Sequence, residues 1–337
     1  MDILFVLIGI SVLILIHEAG HFFAARKFGI AVEEFGFGFP PRLFAKKIGE
    51  TLYSINLLPF GGFVRLFGEN QWDAAGGGEA RHSFFKQSAW KRSLVIVAGV
   101  AMNFFLGWML MSLIFMIGTP RVVLVAEVLA DSPAAAAGIL AQDQITGFDQ
   151  ASDFVGAINQ SRGKEINFSI SRNGQEINIK ATPRLSGDGA LGVAVVDAGI
   201  ERLSIPIALW EGLRASVSIV VGIIVAFANL LWGLVTQGRL LIDFVGPIGI
   251  FGVASQAGSM GFVYLIQLLA LISLNLAVLN ILPFPALDGG RFLFILIEKI
   301  KGSPLKPEFE RSANAVGFLL LLLLVISVTI RDVIHLF

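Results

Sequence analysis

His17, Glu18, Ala19, Gly20 and His21 lie inside the first long apolar run of the chain. On a helix, residues four apart share a face, so His17 and His21 can offer two imidazole nitrogens to one metal ion while Glu18 reaches a water beside them. Coincidence is a poor explanation in a chain with only four histidines. From Ile3 to Ala25 these three are the only ionisable side chains, and a carboxylate at membrane depth costs roughly 3 kcal/mol or more without a partner. The bland alternative is a buried, paired His and Glu that only fix helix packing.

Catalytic zinc takes three protein ligands plus a water. His17 and His21 supply two, and a chain without cysteine must draw the third from His, Asp or Glu. His82 falls in a polar loop and His335 in the extreme tail, whereas Asp288 ends its own apolar run and is the only acid between Asp243 and Glu298. Asp288 has a second possible job, as N-cap of a helix from Arg291 to Lys299. With zinc acidifying a water, Glu18 can take the proton and hand it to a leaving amide nitrogen, which is peptide hydrolysis.

Such groups need a scaffold, and composition names its class. Of 337 residues, 55% are hydrophobic and 15% charged, outside the range of ordinary soluble domains. The chain is expected to be a polytopic α-helical membrane protein. Formal net charge is zero, so nothing points to nucleic acid, and without cysteine there are no disulfides or thiolate ligands. The N-terminal run opens Met1-Asp2, without lysines, and carries the motif itself, so it reads as a retained span and not a secretory signal.

In order, Ile3 to Ala25 is long enough to cross, with Arg26 and Lys27 at its far end. Arg26 to Arg92 is polar, Gly-rich and basic, hence cytoplasmic by the positive-inside rule. Within it, Tyr53 to Leu66 reads as two short strands around a Pro/Gly turn, a hairpin either dipping beside the active site or lying on the interface, and Ala74 to Gly78 reads as a flexible tip. Ser93 to Thr119 is the second span and holds Asn103, whose simplest use is a helix–helix hydrogen bond.

Arg121 to Ile200 has the character of a small β-rich domain, extracytoplasmic by parity. Val122 to Val128, Glu165 to Arg172 and Glu176 to Thr182 alternate as strands, Asn173-Gly174 signals a tight hairpin, and Asp131-Ser132-Pro133 opens a short helix ending at Gly138. Ala215 to Gly238 could span, but a crossing would leave Asp288 on the wrong side from His17 unless Val245 to Gly261 returned, so an interfacial or re-entrant segment is expected. Gly261 to about Leu282 is the next span, and Pro283 and Pro285 then break the helix at membrane depth, where free backbone groups need a wet or protein-lined cavity. A cytoplasmic loop with Lys299, Lys301, Lys306 and Arg311 leads to the last span, Ser312 to Ile330.

The motif in the first span, the hairpin around Leu58-Pro59-Phe60-Gly61-Gly62, the run Ala98 to Asn103, Gly246-Pro247-Ile248-Gly249 and the stretch Asn280 to Asp288-Gly289 together resemble the site-2 proteases of the bacterial RseP type, over nearly the whole chain. The middle domain, with Ser132-Pro133-Ala134 to Gly138-Ile139 and Asp143, resembles a PDZ domain. The resemblance implies one zinc ion held by His17, His21 and Asp288, Glu18 as general base, and Asn280 and Asn103 contacting substrate near the cut. Leu58, Pro59, Gly61, Gly62, Pro283 and Pro285 are implied as further substrate contacts, the hairpin pairing with an unwound substrate strand. Substrates would be single-span membrane proteins such as anti-sigma factors or remnant signal peptides, cut after an upstream site-1-type protease, in the bacterial cytoplasmic membrane. Departures from the family pattern are Val100 for the usual proline, Gln142 for the usual glycine before Asp143, and one PDZ-like domain where well-known relatives have two.

The expected fold is therefore about four transmembrane helices plus the interfacial or re-entrant segment, with a membrane-associated β-hairpin and an inserted PDZ-like domain: 1-120, 121-200 and 201-337. The rival classes are a metal-binding transporter, which would spread ionisable groups along a path, and a catalytically inactive membrane scaffold, which would not need Glu18.

Overall fold

The computed structural model describes residues 2–69, 82–172, 174–187, 189–237 and 246–336. The expected tip at Ala74 to Gly78, Asn173 of the Asn-Gly turn and the stretch from Gly238 to Val245 lie outside them. Elements follow in the order α1 (Asp2–Lys27), β1 (Val32–Ile48), β2 (Thr51–Leu66), α2 (Ala89–Ile117), β3 (Thr119–Val128), α3 (Pro133–Ala136), β4 (Gln144–Ile145), α4 (Ala151–Gln160), β5 (Ile166–Arg172), β6 (Gln175–Ala181), β7 (Val193–Ile200), α5 (Ile205–Gln237), α6 (Pro247–Met260), α7 (Phe262–Ile281), α8 (Asp288–Lys301) and α9 (Pro307–Leu336). Five of these helices, α1, α2, α5, α7 and α9, contain stretches long and apolar enough to cross a membrane. The chain forms two compact units, Met1–Met111 with Leu209–Ala257 and Leu265–Phe337, and Ser112–Ala208 with Gly258–Tyr264.

In the first unit, glycines make room where helices cross, for a neighbour's leucine or for its backbone. A Cβ on Gly9 of α1 would run into Leu269 of α7, one on Gly107 of α2 into Leu274 of α7, and one on Gly20 of α1 into the carbonyl of Ala98 on α2. Small residues at such crossings are how apolar helices gain packing where lipid removes the hydrophobic drive. Near the basic end of α1, Phe22 and Ala25 pack with Val95 and Ile96 of α2, Ile295 of α8 and Leu66 of β2. Toward the other end of α1, Val6 packs with Ala254 of α6 and Leu265 of α7. Arg92 of α2 donates to Glu298 of α8 at 2.7 Å, and Asp332 of α9 accepts from the N–H groups of Gly246 and Gly249 at 3.2 and 2.8 Å.

The β-structure of this unit differs from the expected hairpin. Its turn is at Gly49-Glu50, β1 pairs antiparallel with β2, and both strands fold back on themselves. Glu34 to Phe37 consequently has partners on both sides, Leu52 to Ile55 and Gly62 to Arg65. The two runs within Tyr53 to Leu66 do not pair with each other but flank a run of β1. Pro40, Pro41 and the charges from Arg42 to Lys47 hide β1 from an alternation test. The segment Ala215 to Gly238, as far as Gln237, belongs to one unbroken helix that begins ten residues earlier, at Ile205.

The second unit carries a five-stranded sheet in the order β6-β5-β4-β3-β7. Its core is built from Val123, Ile145, Phe154, Phe168, Ile170 and their neighbours. Ser132 caps α3 by accepting the Ala135 N–H at 3.1 Å, with Pro133 at the first helical position. β5 and β6 pair across Gly174, which takes φ +78°. Asp143, 2% exposed, accepts two bonds from Arg172 at 2.7 Å and the Leu140 N–H at 2.8 Å. Before it Gln142 sits at φ +73°, a conformation that glycine adopts without strain.

Candidate active site

α1 delivers His17 and His21 to one face, both 7% exposed, with their Nε2 atoms 3.1 Å apart. Asp288 Oδ2 lies 3.0 Å from His17 Nε2 and 3.2 Å from His21 Nε2. The second ring nitrogens decide what these contacts are. His21 Nδ1 is 2.8 Å from the Val95 carbonyl, which can only accept, so Nδ1 carries the proton and Nε2 of the neutral ring presents a lone pair. His17 Nδ1 is 3.4 Å from the side-chain amide of the fully buried Asn103. With its oxygen toward the ring, that amide accepts the His17 Nδ1–H and leaves Nε2 to present a lone pair.

Two lone pairs and a carboxylate oxygen then crowd one point, and Asp288 Oδ2 is itself buried with no hydrogen-bond donor. A cation there resolves the repulsion. Zinc bonds of about 2.0–2.1 Å in tetrahedral geometry separate ligand atoms by about 3.3 Å, close to the distances above. The residues present fit zinc, with Val95 and Asn103 orienting the ring nitrogens as outer partners commonly do.

Asp288 is not the cap of its helix. Leu287 occupies the N-cap position without a side-chain bond, Asp288 begins α8, and its carboxylate turns to the histidines. Between α7 and α8, Pro283 and Pro285 carry no N–H, Phe284 N–H bonds Leu282 O at 2.7 Å and Leu287 N–H bonds Phe284 O at 3.2 Å. A Cβ on Gly289 or Gly290 would collide with carbonyls of residues 281, 282 and 284, so the first turn of α8 seats directly on the loop.

Glu18 Oε2 accepts the backbone N–H of Val64 at 3.1 Å, which brings the β2 run from Gly62 to Leu66 alongside α1. Gly62 leaves room there: a Cβ would lie 3.3 Å from Leu15 and 3.6 Å from Glu18. A cavity of about 210 Å³ is lined by His17, Glu18, Asn103, Asn280, Leu287 and Asp288, with Ile14, Leu276 and Ala286. Leu58, Gly61, Pro283 and Pro285 do not line it; Leu58 is half exposed opposite Phe39, Gly61 takes φ +93°, Pro59 lies on the same β2 stretch, and Pro285 faces a separate apolar cavity against α9. His82 Nδ1 bonds the Gly29 carbonyl, away from His17, His21 and Asp288.

Sequence reasoning missed the Val95 carbonyl, which no side-chain pattern can reveal. It also missed the ion pair of Arg291 with Glu69, which links the start of α8 to the segment after β2. Gly99 of α2 was missed too: a Cβ there would press on the rings of His21 and His17, and its one signal is its place in the run Ala98-Gly99-Val100-Ala101.

Comparisons with known proteins agree on one chemistry. The sequence profile described as peptidase family M50 matches residues 5–324. A candidate zinc metalloprotease of Clostridium perfringens is 34% identical over 99% of both chains. The zinc metalloprotease RasP of Shouchella clausii is 30% identical over 97% of both, and the regulator of sigma-W protease RasP of Bacillus subtilis is 28% identical over 96% of both.

Proposed function

The chain belongs to peptidase family M50, the site-2 proteases, and is a zinc metalloprotease working in a membrane; from that premise we propose which residues do the work and on what. His17, His21 and Asp288 hold the zinc ion, and Glu18 is the general base. The observation that carries this assignment is the meeting of two Nε2 atoms and one carboxylate oxygen within 3.2 Å, beside Glu18 and inside apolar helices. Bound there, zinc supplies Lewis acidity and a water acidified toward neutrality. Glu18 accepts the proton from the attacking water and delivers it to the amide nitrogen that leaves. Asn103 keeps His17 in the tautomer that presents Nε2, and Asn280, on the cavity wall, contacts the substrate backbone.

Substrates are single-span membrane proteins, cut in or next to the span after an outer cut by another protease. The run from Gly62 to Leu66 is flanked by β1 on one side only, with its Val64 N–H on Glu18 and its Leu66 N–H on Glu69, so an unwound substrate segment can add there as a strand by taking over those donors. Leu58, Pro59 and Gly61 would continue that strand-binding surface, and Pro283 and Pro285 would shape its far wall. One relative's name refers to sigma-W regulation, and substrates resembling anti-sigma factors fit the same chemistry.

The three-part division 1-120, 121-200 and 201-337, a PDZ-like second unit outside the cytoplasm, and the bacterial inner membrane complete the proposal. Support for a PDZ-like unit is the five-stranded sheet with its capped α3 and the buried Asp143. α5 lies along or dips into the outer leaflet: Gly246 is tied to Asp332 at the end of α9 farther from the basic loop, and after a full crossing the roughly nine peptide steps from Gln237 back to Gly246 would be stretched taut across about 30 Å.

The test is cleavage of a panel of single-span proteins by the purified chain and its Glu18→Gln variant, with zinc measured in both. Cleavage inside the span by the wild type alone, with equal zinc, is the expected result. Equal cleavage by both would remove Glu18 from the mechanism.

A further inference from the structure

The loop that presents Asp288 is closed by a residue of the last helix. Between Leu282 and Leu287 the backbone N–H groups find acceptors in the loop itself or in α7, with one exception: Leu282 bonds Leu279 O, Phe284 bonds Leu282 O, Leu287 bonds Phe284 O, and the two prolines have none to satisfy. The exception is Ala286, whose N–H donates to Asn314 Oδ1 of α9 at 3.0 Å. Ala286 is also the residue of the loop with a positive φ, +75°, a conformation that costs an L-residue with a Cβ and persists only where surroundings impose it. One turn further along α9, Gly317 lies against Pro285, and a Cβ on it would strike the Pro285 carbonyl. α9 therefore touches the loop twice, once by a hydrogen bond and once by the lack of a side chain.

We propose that Asn314 is a positioning residue for the metal centre: by accepting the Ala286 N–H it holds the left-handed turn that aims Asp288 Oδ2 at His17 and His21, and Gly317 lets α9 come close enough for it to do so. An irregular backbone at membrane depth needs protein partners for its polar groups, and here that partner stands two residues before the ligand. The inference rests on the ligand set proposed above. It adds that α9, which gives no atom to the cavity beside the histidines, sets the geometry of the third ligand.

The experiment measures zinc affinity by competition with a chromophoric chelator, on the purified full chain in detergent, with melting of the zinc-free protein as the control for folding. Asn314→Leu, similar in size but without an acceptor, is expected to weaken zinc binding about 10-fold or more, as loss of other outer partners does, while zinc-free melting is little changed. Ala286→Gly in the Asn314→Leu background is expected to recover several-fold of that loss, because glycine takes a positive φ without strain. Gly317→Ala is expected to weaken zinc binding on its own and decides the matter if Asn314→Leu does not fold. Wild-type affinity in both Asn314→Leu and Gly317→Ala, or no recovery from Ala286→Gly, overturns the inference. Asp288→Ala is measured beside them: if it too binds zinc like the wild type, the ligand assignment itself is what has failed.

Discussion

Asp143 and the Oδ2 atom of Asp288 are both withdrawn from water, and the protein treats them in opposite ways. Asp143 is surrounded by donors, with the Arg172 guanidinium on both oxygens and the Leu140 N–H on one. Asp288 Oδ2 faces two imidazole nitrogens and has no donor. Burial alone would raise the pKa of a carboxyl group; at Asp143 it does oppose the charge, but the Arg172 bonds and the Leu140 N–H outweigh it and hold the carboxyl below its usual range. A carboxylate whose bonds are complete is holding a fold together. One left incomplete at the convergence of other lone pairs is waiting for a cation, and that difference separates scaffold from chemistry where burial does not.

The comparison can be broken by exchanging the losses. Asp288→Ala should abolish zinc binding and cleavage while leaving the melting of the second unit intact, checked by metal analysis and calorimetry. Asp143→Asn should do the reverse, costing the second unit about 1.5–3 kcal/mol for a damaged charged hydrogen-bond set with zinc content unchanged. The Asp143 contribution also has a pH signature. Because its folded pKa is lowered, its stabilisation is fully present above the ordinary carboxyl range near pH 4 and is lost as pH falls through the folded value. Acid melting curves of wild type and Asp143→Asn should therefore converge at low pH, and curves that stay parallel would deny Asp143 that role. Asn103→Ala should weaken zinc about 10-fold through His17, a smaller loss than removing a ligand, measured by the same chelator competition. Smallest of all, Gln142→Gly should change the stability of the second unit by under about 1 kcal/mol, since relief of a positive φ is partly offset by the freedom glycine gains when unfolded.

Much of this site could be read from residue types because its chemistry is made by side chains. His17, Glu18 and His21 are adjacent on one helix, and Asp288 stood out as the single acid of a long apolar stretch. The strands β3, β5 and β6 and the Ser132 cap were legible for the same local reasons, alternation and capping. What stayed hidden depends on tertiary placement. β1 is interrupted by two prolines and a basic run, and it is held by β2, which pairs with Glu34 to Phe37 on both sides and with the basic run on one. Asn103 gave no sign in the sequence of which neighbour it would meet, and its partner proved to be a ring nitrogen of His17. The Leu287 cap and the Ala286 turn follow from how α7, α8 and α9 meet, which no window of sequence contains.

One consequence concerns how this chain can change over generations. At Gly99 any added carbon would press on His21 and His17, and at Gly20 it would press on the backbone of α2. Positions as confined as these, beside the residues proposed to hold zinc, are thus ones with no chemistry of their own. A library of variants scored for growth or cleavage would tolerate many exchanges along the lipid-facing side of α1 and α2, yet almost none at these two sites, where even alanine would widen the mould in which the ligands are cast.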